Sequence, residues 1–255
     1  MGRIIAIINQ KGGVGKTTTA VNLAASLAAA EHETLLVDLD PQGNASSGLG
    51  VPPGKVGRGT YDVLMGLAAP ADVLCDTELA GLKLMAARQD LAGAEIELVG
   101  MERREHVLGL RLKPIVKSFE YVLVDCPPSL GLLTLNALTA ATSVIVPVQC
   151  EYYALEGLGH LVDTIERVRA KLNPKLEIDG ILLTMYDGRN NLSRQVETEV
   201  RSFFEKKVFQ TVVPRNIRLS ESPSFGKPIL LYDVDSKGCK SYLQLAEELS
   251  RRHAA

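Results

Sequence analysis

A glycine-rich stretch near the start of the chain has the residue types that bind phosphate groups. It reads Asn9-Gln10-Lys11-Gly12-Gly13-Val14-Gly15-Lys16-Thr17-Thr18. Glycines let successive backbone N–H groups turn inward around an anion, and a following helix adds its positive N-terminal end. In such a loop Lys16 would contact the β- and γ-phosphates of a nucleotide, and the Thr17 hydroxyl would bind Mg²⁺. Each residue from Lys11 to Thr18 is therefore a candidate nucleotide contact.

Three aspartates at strand ends could complete a phosphoryl-transfer site, which also needs a magnesium ion and a group that places water in line. Asp125 ends the apolar run 121–125 and is expected to hold a magnesium-bound water; the alternative is a carboxylate that caps the next turn. Asp40 is expected to position the attacking water, because an ionised carboxylate accepts a hydrogen bond but is too weak a base to remove the proton early. Asp38 is assigned either to the magnesium shell or to a structural role.

The elements around the loop follow the order that such a site needs. The apolar run 4–8 predicts a buried strand, and the Ala- and Leu-rich segment 17–30, which lacks proline, predicts the helix that the loop opens. A second strand is predicted over 33–38. This is a βαβ unit, whose parallel strands place their carboxyl ends side by side, so we expect residues 39–44 at the same edge as the loop.

The rest of the chain continues the alternation of strands and helices. Further strands are predicted over 82–87, 121–125, 142–148, 178–185 and 208–213. Helices are predicted over 61–66, 91–98, 102–117, 154–172, 190–206 and 238–252. Residues 45–60, rich in Gly, Ser and Pro, predict a mobile surface loop. The pattern favours a three-layer α/β fold of the P-loop NTPase class, with a mostly parallel sheet covered by helices on both faces.

Composition limits the classes of protein that remain. The 255 residues, 46% of them hydrophobic, can bury the core of one domain over 1–255. Because the first strand begins almost at residue 1, we expect no N-terminal DNA-reading domain and no signal peptide. The expected location is therefore the cytoplasm. The four cysteines lack C-x-x-C spacing, which argues against a zinc site. Net charge is −2, but residues 186–255 carry 12 Lys and Arg against 9 Asp and Glu, which is a weak indication of a DNA-facing patch.

Several motifs resemble one family. The loop departs from the general pattern G-x-x-x-x-G-K-[ST], because Gln10 replaces the first glycine and a second lysine, Lys11, follows it. In this form K-G-G-V-G-K-T-T resembles the deviant Walker A loop of the ParA/MinD family of P-loop ATPases. The remaining motifs resemble, in the same order, those of the small chromosomal ParA proteins of the Soj group. They are V-D-L-D-P-Q-G-N, V-D-C-P-P-S, P-V-Q-C-E-Y-Y-A-L-E-G and P-R-N-I-R-L-S-E-S-P-S-F-G-K-P-I.

The resemblance implies a DNA-segregation ATPase in which ATP is sandwiched between two protomers. Lys11 would reach across to the partner's phosphates, so Lys11, Lys16 and Asp40 would be the catalytic groups. The segment Pro214-Arg215-Asn216 matches the positions that shape the adenine pocket, and adenine is favoured because the chain lacks an N-K-x-D motif for guanine. The expected cofactors are therefore ATP and Mg²⁺, with slow intrinsic hydrolysis.

The resemblance also implies partners. The ATP-dependent homodimer would bind double-stranded DNA without sequence preference, and Arg189 and Arg218 match positions that contact DNA in Soj-like proteins. Solvated surface charge is the alternative for both arginines. A ParB/Spo0J-like protein at centromere-like sites would stimulate hydrolysis, the location would be the nucleoid, and the same switch could act on a replication initiator.

Three other functions remain open at this stage. A MinD-like regulator cycles on membranes through a basic amphipathic helix beyond the fold, but here the apolar stripe of the last helix stops at Leu249 before S-R-R-H-A-A, so no membrane partner is expected. An electron-transfer protein like the nitrogenase iron protein needs two well-placed cysteines per chain, for which Cys126 and Cys150 are the candidates. A small-molecule ligase or kinase of the same fold is the third, although no substrate-binding insertion is evident.

Overall fold

A sheet of eight strands lies at the centre of the computed structural model, which describes residues 2–152 and 154–254. Met1, Tyr153 of the P-V-Q-C-E-Y-Y-A-L-E-G motif and Ala255 lie outside the described residues. The strands are β1 (Arg3–Ile7), β2 (Thr34–Asp38), β3 (Leu74–Asp76), β4 (Leu82–Met85), β5 (Tyr121–Asp125), β6 (Ser143–Gln149), β7 (Glu177–Tyr186) and β8 (Val208–Pro214). Their spatial order is β3-β4-β2-β5-β1-β6-β7-β8, and only β3 and β4 pair antiparallel among these described strands.

Helices flank the sheet on both sides. Along the described chain they are α1 (Lys16–Ala29), α2 (Asn44–Gly48), α3 (Thr60–Met65), α4 (Leu91–Glu97), α5 (Val107–Leu112), α6 (Leu132–Ala140), α7 (Ala154–Lys171), α8 (Asn191–Phe204), α9 (Ile217–Glu221), α10 (Ile229–Tyr232) and α11 (Lys237–Ala254). Within residues 2–152 and 154–254, none of them combines the length and the apolar character that crossing a membrane requires.

The two faces of the sheet belong to two separate cores. In β1, Ile4 and Ala6 pack in a core with α3 to α8, whereas Ile5 and Ile7 pack in the other core with α1, α2 and α9 to α11. Successive side chains of a strand point to opposite faces, so a strand covered on both sides must be apolar throughout. The alternation of the two cores along β1 confirms the predicted three-layer architecture.

The predicted helix over 102–117 is wrong. In the structure α5 covers only Val107–Leu112, with short 3₁₀ turns at Arg104–His106 and Val116–Ser118. Arg103 adopts a left-handed conformation (φ 55°), which interrupts the helix before α5. Pro114 has no N–H to donate and ends it on the other side.

Two further differences concern segments that local pattern could not resolve. The predicted loop over 45–60 begins as helix α2, whose Ala45 and Ser46 are fully buried. Helix α6 has no counterpart among the predicted elements, because its sequence L-L-T-L-N-A-L-T-A is apolar nearly all round and has no helical periodicity to read. The core strands and the long helices α1, α7, α8 and α11 are confirmed within a few residues.

Candidate nucleotide-binding site

The phosphate loop and two of the predicted aspartates meet because three neighbouring strands end together. Asp125 at the end of β5 pairs in register with Ile7 of β1 on one side and with Asp38 of β2 on the other. The backbone N–H of Leu39 donates to the carbonyl of Asp125 at 3.0 Å. Asp38 and Asp125 therefore lie side by side at the carboxyl edge of the sheet, where the loop after β1 begins.

The loop itself is held in a left-handed path and fastened to the sheet. Gly13 (φ 73°) and Gly15 (φ 90°) have conformations that residues with a side chain rarely adopt. Val14 between them is buried, and its carbonyl accepts a hydrogen bond from the Thr184 hydroxyl of β7 at 2.8 Å. Thr184 thus fixes the loop in front of α1.

Lys16 is a buried cation at the start of α1. Its exposure is 7%, and its Nζ donates to the backbone carbonyl of Lys11 at 3.1 Å, across the mouth of the loop. Burial lowers the pKa of Lys16, while the charges of Asp125 and Asp40 oppose that change. A phosphate oxygen is a stronger acceptor than the Lys11 carbonyl, so a bound nucleotide would replace that carbonyl as the partner of the Lys16 ammonium.

Asp38 is fully buried and already has partners. Its Oδ2 accepts from the Ser46 N–H at 2.8 Å and from the Ser46 hydroxyl at 2.6 Å, and its Oδ1 accepts from the Asp40 N–H at 3.2 Å. Burial raises the pKa of Asp38 to about 6, against these hydrogen bonds. Of the two roles foreseen for Asp38, these contacts support the structural one: it ties α2 to the end of β2.

Asp125 differs from Asp38 because both of its carboxylate oxygens are buried without a hydrogen-bond partner in the described chain. Its pKa is raised well above the ordinary value, first by burial and then by the charge of Asp38, while the nearby Thr17 side chain opposes the shift. A buried carboxylate without partners beside a threonine fits a magnesium ion, which prefers oxygen ligands and completes its shell with phosphates and water. Among the described residues, no group of three or more His, Cys, Asp or Glu is arranged to hold a metal ion.

This environment predicts that Asp125→Asn will stabilise the nucleotide-free protein. A carboxyl with a raised pKa contributes stability at low pH that is lost as pH rises through the folded-state pKa. The melting temperature of Asp125→Asn should therefore exceed that of the wild type, by about 2–4 °C for each kcal/mol gained in the free energy of unfolding. The difference between the two melting temperatures should widen as pH increases. Calorimetry at several pH values, with exposed Asp72→Asn as the control for the charge change, measures it. Equal melting temperatures for the Asp125 variant and the wild type at every pH would contradict the argument.

Asp40 lies close to the same edge but makes fewer contacts. It is 7% exposed, and its Oδ1 accepts the Gln42 N–H at 3.0 Å, which forms a tight turn after β2. The negative charge of Asp40 favours the charged form of Lys16 and opposes the lowering of the Lys16 pKa by burial. Its second oxygen can accept a hydrogen bond from water.

A cavity of about 360 Å³ adjoins the loop. Its lining includes the predicted adenine segment Pro214, Arg215 and Asn216, together with Gly15, Thr18, Thr184, Met185, Val213, Leu219, Ser220, Pro223 and Tyr242. The Asn216 side-chain oxygen caps α9 by accepting from the Arg218 N–H at 2.8 Å, which leaves the Asn216 amide donors for a ligand. Met185 has φ 50°, and such strain in a residue with a side chain is often found at binding sites.

The two arginines predicted to contact DNA lie outside the phosphate loop, the aspartates and the adjoining cavity. Arg189 lies in the turn after β7 and is 92% exposed, with its guanidinium on Asp187 at 3.0 Å. Arg218 lies in α9 and pairs with Glu221 at 2.9 Å and Asp233 at 3.3 Å. Both follow the carboxyl ends of the adjacent strands β7 and β8, so they share one edge of the sheet with the phosphate loop.

The segment that follows Asp40 touches the segment that carries Arg218. Gly50 (φ 80°), just after α2, and Gly226 (φ 63°), between α9 and α10, meet backbone to backbone. A Cβ on Gly226 would lie 2.9 Å from the Gly50 Cα, and a Cβ on Gly50 would lie 3.2 Å from the Gly226 carbonyl oxygen. Neither position has room for a side chain.

Residues with direct roles in this geometry that are absent from the sequence-based predictions include Asn9, Ser46, Glu151, Thr184 and Met185. The Asn9 side chain accepts from the Lys11 N–H at 2.9 Å and donates to the Pro147 carbonyl at 2.7 Å, which fastens the loop to β6. Glu151 forms an ion pair with Lys11 at 2.6 Å. The contacts of Asn9 with Pro147 and of Lys11 with Glu151 join residues 138 and 140 positions apart, and nothing in the local sequence indicates them.

The class of protein that this sheet and loop define is the P-loop ATPase. A family described as an AAA domain matches residues 2–178, and the chromosome partitioning protein ParA from Myxococcus xanthus is 58% identical over 252 residues, which cover 99% of this chain and 89% of that protein. The chain belongs to the ParA/Soj family of chromosome-partitioning ATPases, as its motifs predict. The sporulation initiation inhibitor protein Soj from Bacillus subtilis is 55% identical over 98% of this chain and 99% of that protein.

The solved structures confirm the predicted fold class. A structure described as cobyrinic acid a,c-diamide synthase from Mycobacterium smegmatis is 40% identical and has a TM-score of 0.88, covering 100% of this chain and 97% of that one. That structure is described with a bound ATP analogue and magnesium.

Proposed function

We propose that this chain is a slow, magnesium-dependent ATPase whose ATP-bound form is a homodimer that binds double-stranded DNA without sequence preference. In this proposal the protein is cytoplasmic and nucleoid-associated, and a ParB-type partner stimulates hydrolysis. The observation that carries the proposal is the contrast between the two loop lysines. Lys16 is buried against its own loop, whereas the Lys11 side chain is 53% exposed at the rim, where a phosphate from outside the protomer can reach it.

In this proposal each group of residues has a separate role in phosphoryl transfer. Lys16 and the N–H groups from Gly12 to Thr18 bind the phosphates, Thr17 and Asp125 hold Mg²⁺, and Asp40 places the water. When bound at Thr17 and Asp125, magnesium would supply positive charge that neutralises the phosphates. Pro214 to Asn216 line the adenine cavity, and the ATP analogue and magnesium described for a 40% identical structure support this choice of ligands.

Gly12→Val tests the sandwich directly. Apart from Gly12 and its two chain neighbours, no atom of the described residues lies within 4 Å of the position that a Cβ on Gly12 would occupy, so the variant should fold and bind ATP. In the proposed dimer two phosphate loops meet at this residue, and the valine should prevent that contact. Sedimentation with ATP in an Asp40→Ala background should give a monomer for Gly12→Val and a dimer for the parent. A dimer of unchanged affinity would rule out the proposed packing of the loops.

The DNA surface is tested at Arg189 and Arg218. Each alanine variant should weaken binding evenly across unrelated DNA sequences and flatten the dependence of log affinity on log salt by about one for each phosphate that the arginine neutralises. Anisotropy over a salt series with ATP present measures both quantities. Arg251→Ala is the matched control, because Arg251 is also exposed and paired with a glutamate, at the far end of α11.

Two outcomes would contradict the assignment of these arginines. If both variants bind DNA like the wild type, the DNA surface lies elsewhere. If they fail to dimerise with ATP, the arginines have a structural role. Because exposed ion pairs contribute little stability, DNA phosphates can replace Asp187, Glu221 and Asp233 as partners without unfolding the protein.

The whole proposal is tested by ATP hydrolysis measured with DNA and a ParB-type protein, separately and together. We expect slow turnover alone and the largest rate with both. The rival electron-transfer function needs two cysteines per chain that can reach a cluster shared with a partner subunit, but Cys126 and Cys150 are buried, at 1% and 5% exposure. If neither DNA nor the ParB-type protein changes the rate of ATP hydrolysis, the proposed role in chromosome partitioning is contradicted, but the assignment as an ATPase is not.

A further inference from the structure

Lys11 does not point freely into solvent. Its Nζ forms an ion pair with Glu151 Oε2 at 2.6 Å, and the two side chains are 53% and 47% exposed. The pair joins two segments 140 positions apart in the chain. It forms because β6, whose carboxyl end leads to Glu151, lies next to β1, whose carboxyl end leads to the phosphate loop.

The backbones on both sides of this pair are fixed independently of it. Asn9 links the Lys11 N–H to the Pro147 carbonyl, with distances of 2.9 and 2.7 Å. Glu151 donates its N–H to the Gln149 carbonyl at 2.8 Å, and its carbonyl accepts from the Ala154 N–H at 2.9 Å. The two side chains can therefore separate while the loop and the turn stay in place.

We infer that Glu151 is a positioning residue that holds Lys11 against its own protomer until the triphosphate of a second protomer replaces the carboxylate. The inference rests on the proposed ATP sandwich. A lysine ammonium is a compact cation that moves between acceptors on a flexible stem. The larger negative charge of ATP phosphates makes them the better acceptor, and loss of the γ-phosphate weakens that competition. Glu151 then favours the monomer, because its ion pair with Lys11 is lost when Lys11 reaches across to the second protomer.

Removing the carboxylate should strengthen the dimer. An exposed ion pair contributes about 0.2–1 kcal/mol, which is about 1.4- to 5-fold for each pair, and the dimer replaces two of them. Glu151→Gln should therefore lower the dimer dissociation constant with ATP by about 2- to 25-fold. With ADP the same replacement should lower the constant by the same factor or by a smaller one, because the ADP phosphates compete less strongly for Lys11. Glu151→Gln keeps the length of the side chain, so the local backbone should not change.

The experiment is sedimentation velocity on the full chain in an Asp40→Ala background, with ATP or ADP. Glu156→Gln is the control, because it makes the same charge change nearby, in the first turn of α7 and at an exposed residue. Lys11→Ala, alone and combined with Glu151→Gln, completes a double-mutant cycle. The inference requires Glu151→Gln to have its effect only when Lys11 is present, and a general effect on folding would not show that dependence.

The outcomes separate the inference from the proposed function. A parent that stays monomeric with ATP overturns the sandwich and the inference together. A parent that dimerises while Glu151→Gln dimerises equally or more weakly overturns the inference alone. The inference is also overturned if Glu156→Gln matches Glu151→Gln, or if Glu151→Gln acts equally in the Lys11→Ala background.

Discussion

Lys16→Ala is expected to lose ATP binding by a factor of about 10² to 10⁴, because it removes two charge-assisted hydrogen bonds to phosphate, each contributing about 1.5–3 kcal/mol. The ammonium is buried and donates to the Lys11 carbonyl at 3.1 Å, a contact within the loop itself, so little else in the fold depends on it. Isothermal titration with ATP and Mg²⁺ measures the loss, and a thermal melt of the nucleotide-free variant confirms that it is folded.

Two matched variants make the Lys16 result specific. Lys16→Gln keeps most of the length of the side chain without the charge and should also bind poorly. Lys11→Ala removes the same charge from the same loop, but Lys11 is half-exposed and faces Glu151, so the affinity of the monomer for ATP should change little. An affinity for ATP that survives in Lys16→Ala would refute the assignment of the loop as the phosphate site.

Asp40→Ala is expected to reduce the rate of hydrolysis by about 10²- to 10⁴-fold while ATP still binds. The reason is that the water loses its partner, whereas Lys16, Thr17 and Asp125 remain. The variant should accumulate as an ATP-bound dimer, which single-turnover hydrolysis and sedimentation can measure on the same sample.

A conservative replacement separates the charge of Asp40 from its turn. Asp40 accepts the Gln42 N–H at 3.0 Å, and alanine removes that acceptor, whereas asparagine retains it. Asp40→Asn should therefore keep the turn and still hydrolyse ATP slowly. Normal hydrolysis by Asp40→Asn would mean that another group places the water.

The phosphate loop and the two aspartates beside it could be predicted because their information is local. An apolar run, a glycine loop and an alanine-rich helix follow one another over the first thirty residues, and Asp38 and Asp125 each end a strand. Parallel strands place their carboxyl ends at one edge of the sheet, so both aspartates are expected near the loop. The register of Asp38 with Asp125 follows from the position of β5 between β1 and β2, which the sequence does not indicate.

The contacts that tune the site could not be predicted, because they depend on the order of strands in space. Lys11 meets Glu151 because β6 is a neighbour of β1, and no pattern within either segment indicates that adjacency. The small, polar neighbours of Ser46 predict a mobile loop, yet the Asp38 carboxylate binds Ser46 and buries it. The composition of a loop does not indicate that Ser46 has a hydrogen-bond partner, Asp38, eight residues earlier in the chain.

The contact between Gly50 and Gly226 limits how this protein can be re-engineered. With a Cβ on Gly226 only 2.9 Å from Gly50 Cα, both positions are strained and closed to side chains in the same place. A chimera that places a residue with a side chain at Gly50 or Gly226 would therefore crowd the backbone of the other segment. An exchange of either segment should keep its glycine, or both segments must change together.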